Sequence, residues 1–96
     1  MKGGSVSKFL DQTTYEECAV IYQGVKYFFY GLLFDKSKNE YSYTIDALDC
    51  DGNYLKTAFD KTDSTMKGCM DLALNAPIFD GKTFWQAEAD MEWVEW

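Results

Sequence analysis

The chain contains no histidine and no arginine, and all nine of its cations are lysine. Without histidine, cysteine–histidine and serine–histidine catalysis have no base, and no zinc site can use imidazole. Without arginine, the forked contacts that read base edges or clamp phosphates are missing. The net charge of −7 removes the basic patch that binding to nucleic acid or an anionic membrane surface requires. There is one proline, at position 77, so the chain has few rigid breaks. Three cysteines, Cys18, Cys50 and Cys69, are odd in number and irregular in spacing. They form neither a disulfide framework nor a C-x-x-C metal cage. No apolar run reaches the ~20 residues of a membrane helix. The start, M-K-G-G-S-V-S-K-F-L, lacks the apolar centre of a signal peptide. A cytoplasmic protein in a reducing setting is expected.

Aromatic residues are plentiful, at 18% of the 96 residues, within a hydrophobic share of 47%. That composition supports a packed core and a single domain over 1–96, with residues 1–7 a flexible end. The longest apolar stretch, Cys18 to Phe34, breaks once at Gln23-Gly24 and reads as two antiparallel strands, about 19–23 and 25–34. The second is apolar at both parities: Val25, Tyr27, Phe29 and Leu33 on one side, Phe28, Tyr30, Leu32 and Phe34 on the other. Gly31 in its middle points to a bulge or a close backbone approach. Asp35 to Glu40 is a polar turn. From Tyr41 the chain alternates, with Tyr41, Tyr43, Ile45 and Ala47 facing one way and Ser42, Thr44 and Asp46 the other. This gives a strand over about 41–49. Asp51-Gly52 is a hairpin signal, and a fourth strand follows at about 54–59.

The apolar period then changes. Met66, Cys69, Met70, Ala73 and Leu74 make a helical stripe within about 63–75, with Thr62 as the expected cap. Thr83 and Gln86 have capping-box spacing and open a second helix over about 84–94. A terminal strand over 91–96 is an alternative, because W-V-E-W also alternates. A weaker capping pair, Thr14 and Glu17, allows one helical turn at 15–17. Strands followed by helices give an α+β fold: a four-stranded antiparallel meander with two helices on one face.

Asp49, Asp51 and Asn53 resemble the start of a calcium loop. Tyr54 stands where that loop needs glycine and Asp60 where it needs glutamate, so a hairpin turn is the better reading. Cys18 and Cys69 read as small buried apolar groups. Gly81-Lys82-Thr83 is only the tail of a phosphate loop, and no cofactor motif is present. Asp46, Asp49 and Asp51, or Asp90 and Glu92, are close enough for acid–base chemistry. Sixteen acids in 96 residues bring such neighbours together by coincidence.

More rings lie along the central strands than one helical layer can cover. The expectation is therefore a non-catalytic protein-interaction or regulatory module with an aromatic sheet face. The candidate contact residues are Phe28, Tyr30, Tyr41, Tyr43, Trp85, Trp93 and Trp96. The expected partner is a protein, with self-association into a homodimer as one form of it; neither direct nucleic-acid binding nor membrane binding is expected. Two rivals are an acidic nucleic-acid mimic that inhibits a DNA- or RNA-binding protein, and a carboxylate acid–base enzyme.

Overall fold

A computed structural model describes residues 1–95 of the chain. The fold is α+β: an antiparallel sheet of six strands with three helices packed on it. In chain order the elements are α1 (Val6–Tyr15), β1 (Cys18–Tyr22), β2 (Val25–Phe29), β3 (Leu33–Asp35), β4 (Glu40–Leu48), β5 (Tyr54–Asp63), α2 (Met66–Asn75), α3 (Phe84–Ala87) and β6 (Glu92–Val94). A 3₁₀ turn, Glu88–Asp90, joins the last two.

Strand β4 is the centre. β5 pairs along one of its edges, while β2 and β3 share the other, Phe29 opposite Ile45 and Leu33 opposite Ser42. The expected strand over 25–34 is thus two strands in line, interrupted at Tyr30–Leu32. One extra residue is accommodated there, as in a β-bulge. Gly31 sits at that break with φ +85°. The Tyr30 amide still donates to Thr44 O, but the Leu32 amide turns away to Thr14 O at the end of α1. Both readings of Gly31 hold: it is a bulge and a close approach.

The turns follow their residues. Gln23 and Gly24 both have positive φ, which matches the right-handed twist of the β1–β2 hairpin. Between β4 and β5, the Asp49 carboxylate accepts from the amides of Asp51 and Asn53 at 2.9 and 2.8 Å. Those bonds hold its pKa below the usual aspartate value. The segment is a hairpin turn, with its acid spent on its own backbone.

Four boundaries differ from the sequence expectation. First, α1 is a ten-residue helix rather than one turn at 15–17. Ser5 caps it, its Oγ accepting from the Lys8 amide at 3.1 Å. Second, β5 runs to Asp63 because β4 offers pairing partners as far as Tyr41, so α2 starts three residues later than expected. Thr65, not Thr62, is its cap. Third, the capping box Thr83–Gln86 forms, but α3 is only four residues long. Glu88, Asp90 and Glu92 would crowd the negative end of a longer helix. Fourth, the tail takes the strand alternative of its two readings and supplies β6 to the open edge of β1, Ala19 opposite Val94 and Ile21 opposite Glu92. The first residues, expected as a flexible end, run beside β6: the Lys2 amide donates to Met91 O and the Trp93 amide to Lys2 O.

The helices cover the sheet face formed by Val20, Tyr22, Tyr27, Phe29, Tyr43, Ile45 and Phe59. Phe9 from α1, Phe79 from the α2–α3 link and Phe84 from α3 close this core, each fully buried. Phe9 meets Phe29 edge-on at 5.3 Å and stacks on Phe84 at 5.7 Å. Cys18 and Cys69 are buried here, and desolvation raises both thiols above their ordinary pKa. Among the described residues, no helix is long and apolar enough to cross a membrane.

Candidate functional site

Cross-strand register places the remaining side chains on the opposite face, where no helix packs. One row crosses the sheet as Val94, Ala19, Phe28, Asp46 and Thr57. The next reads Glu92, Ile21, Lys26, Leu48 and Tyr54. On the other side of the first row come Tyr30, Thr44 and Asp60. Ile21, Tyr30, Leu33 and Tyr54 are exposed, the last two at 63% and 61%. These are large apolar side chains left open to water on one face of the sheet.

At the middle of this face lies a buried carboxylate. Asp46 is 9% exposed. Phe28 stands directly opposite it across β2–β4, and the Phe28 and Tyr30 rings meet edge-on at 4.7 Å. The Tyr30 hydroxyl donates to Asp46 Oδ2 at 2.5 Å. Asp46 Oδ1 is also buried and has no hydrogen-bond partner among the described residues. A buried carboxylate oxygen with no hydrogen-bond donor carries a desolvation cost.

The hydrogen bond to Asp46 is the largest cause that pushes the Tyr30 pKa up to about 12 from 10.0, followed by desolvation and the Asp46 charge. A raised tyrosine pKa means the neutral phenol is favoured in the folded state. The stabilisation is therefore complete below pH 10.0 and is lost as pH rises through about 12. Asp46→Asn removes the charged acceptor. We expect one tyrosine to return toward 10.0 in an ultraviolet-absorbance titration of this variant against wild type. Superimposable titration curves would show that the Tyr30–Asp46 bond is absent in solution.

The sequence-derived contact residues divide. Phe28 and Tyr30 lie together on the face that no helix covers. Tyr43 is a core residue: its hydroxyl donates to Thr13 O at 2.9 Å and lies 2.7 Å from Thr13 Oγ1, and burial raises its pKa. It is not available to a partner. Tyr41 has the core-face parity, half-buried against Phe34 with ring centroids 4.9 Å apart. Trp93 turns inward onto Phe9 at 5.4 Å. Trp85 is half-exposed on α3, in the helical layer, away from Phe28 and Tyr30. Trp96 lies outside the described residues. Strand alternation puts Asp46 on the outer side of β4, where a solvated acid is expected; the structure buries it instead. Ile21, Leu33 and Tyr54 join the face without a signal of their own, because their parity with Phe28 becomes readable only once the strands are in register.

Next to this face, the end of α1 and the bulge form a shallow cleft lined by Tyr15, Glu16, Glu17, Tyr30, Leu32 and Leu33. It extends the surface with exposed rings and two more acids. The sheet edges are less inviting. β5 carries two register shifts and the lysines Lys56 and Lys61, and β6 is three residues long with Lys2 bridged to Glu92. Irregular, charged and short edges resist strand addition. Among the described residues, no group of three or more histidine, cysteine or acidic side chains is placed to hold a metal ion.

Comparison of the chain with protein-family models, curated proteins and solved structures finds no match.

Proposed function

We propose that this protein is a small, non-catalytic interaction module that docks a basic protein partner on its uncovered sheet face. The observation that carries the reading is the pairing of exposed apolar side chains with a buried carboxylate on a face that no helix covers. The net charge of −7 and the nearby Glu17 and Glu92 favour a partner of opposite sign. A second copy of the same chain would bring like charges together, so a different protein is the better occupant. A cytoplasmic setting goes with this reading, because all three cysteines are free and Cys50 is exposed.

The two rival readings have less support. A nucleic-acid mimic needs its acids in a row, whereas here they fall on helices, strands and turns along the whole chain. An acid–base enzyme of the paired-carboxylate kind needs a second carboxylate beside the first, and the group hydrogen-bonded to Asp46 is a tyrosine.

The test is capture of binding proteins with face variants, combined with light scattering. Ile21→Glu and Leu33→Glu should abolish a partner interaction that Leu72→Glu, on the exposed side of α2, leaves intact. The opposite pattern would move the docking surface to the helical layer. A stable dimer that Ile21→Glu dissociates would replace the foreign partner with a second copy.

A further inference from the structure

Asp46 has a property that docking through apolar contact does not require. One of its oxygens is engaged by Tyr30 and the other is buried without a partner among the described residues. Neither ion pair identified among the described residues involves Asp46. The cation nearest in register on this face is Lys26, opposite Leu48 and two pairs along from Phe28 and Asp46. It is not within ion-pair distance. A carboxylate in this position is unfinished: it has the environment of a buried ion pair and lacks the second ion.

We propose that Asp46 is the receptor for an arginine side chain of the basic partner, with Tyr30 as the latch over it. This rests on the docking face described above and specifies what that face recognises. Arginine fits better than lysine for three reasons. A guanidinium is planar, and its fork of N–H groups can donate in the carboxylate plane where an ammonium offers only a point charge. It is also more weakly hydrated than an ammonium, so it enters a dry site at lower cost. Finally, the chain has no arginine of its own, so no internal side chain can offer this fork.

Because Oδ1 is shielded, the arginine needs a route. Tyr30 supplies it. Its side chain is the exposed member of the pair, at 36%, and it sits at the rim of the cleft beyond the bulge. Turning outward, it gives up one hydrogen bond to Asp46, and its hydroxyl then bonds to water. The guanidinium takes over both carboxylate oxygens. Glu16 and Glu17 on the same cleft draw the cation toward the opening.

The experiment is an amide-resolved NMR titration of the intact protein with acetyl-arginine-amide, with acetyl-citrulline-amide as the neutral probe of the same shape. The expected result is saturable shifts at Phe28, Tyr30, Thr44 and Asp46 with arginine and none with citrulline. Asp46→Asn, which preserves shape, should weaken arginine binding at least about tenfold, as loss of a charged hydrogen-bond acceptor does. Asp60→Asn, an exposed acid of the neighbouring row, should leave it unchanged. Tyr30→Phe should bind as tightly as wild type or more tightly, because its latch no longer competes. A simple contact residue would show the opposite. The proposal is overturned if Asp46→Asn and Asp60→Asn behave alike, if citrulline binds equally, or if arginine binds only after Lys26→Met. The last result would mean that Lys26 already fills the site. Any of these would leave the docking face standing as long as Ile21→Glu still blocks the partner. Insensitivity of capture to Ile21→Glu would instead remove the face itself.

Discussion

Phe9→Ala should destabilise the protein by about 3–5 kcal/mol, the range for removing a fully buried ring from a core that cannot collapse around the gap. For a chain of this length that is on the order of 20 °C in melting temperature. Phe9 is completely buried and touches three other aromatic rings, those of Phe29, Phe84 and Trp93. Those rings belong to β2, α3 and β6, so one side chain ties α1 to three other elements. Urea unfolding monitored by tryptophan fluorescence would measure the loss. A cost below about 1 kcal/mol would mean that α1 is not docked on the sheet as described. The effect should also reach the candidate site. The end of α1 supplies Thr14 O to the Leu32 amide and lays Glu16 against Gly31, so loosening α1 frees the bulge that carries Tyr30.

That α1 is almost invisible in the sequence has a specific cause. Its inward stripe is Val6, Phe9, Leu10 and Thr13, correctly spaced for a helix, but the fourth member is polar. Thr13 is fully buried because Tyr43 from β4 satisfies it. A threonine whose partner lies thirty residues away reads as a solvent position. The hairpins are readable, since Gln23-Gly24 and Asp51-Gly52 are local chemistry. The bulge is readable too, because a glycine amid aromatic strand residues gives up both packing and pleat at that point. The tail carries conflicting signals. Thr83 and Gln86 start a helix, the acids after them stop it, and the unpaired edge of β1 decides what comes next. At the site, the parity of Phe28 and Tyr30 is visible in their own strand. The burial of Asp46 is not, because it comes from rings on the neighbouring strand, and only register puts Phe28 opposite it.

Gly31→Ala tests whether the bulge is as tightly built as it looks. Gly31 has φ +85°, a conformation that costs an L-residue about 1–2 kcal/mol. A Cβ there would also lie 3.2 Å from Glu16 O, 3.3 Å from Glu16 N and 3.3 Å from Tyr15 C. These are backbone atoms, which cannot swing aside like a side-chain tip, and forced overpacking adds about 1–3 kcal/mol. The expected total is about 2–5 kcal/mol. Gly24→Ala separates the two contributions, because Gly24 has φ +77° and a Cβ there meets nothing within 4 Å. It should cost only the conformational part, measured by the same urea unfolding. Equal losses for the two variants would mean that α1 does not press on the bulge. A larger loss at Gly31 would mean that the helix end and the bulge are one packed unit. The functional consequence then follows from geometry. Tyr30 and Leu32 flank this glycine, so pushing the bulge off α1 moves the Tyr30 hydroxyl away from Asp46. Even under conditions where Gly31→Ala remains folded, its Tyr30 should titrate below about 12, whereas Gly24→Ala should leave that value unchanged.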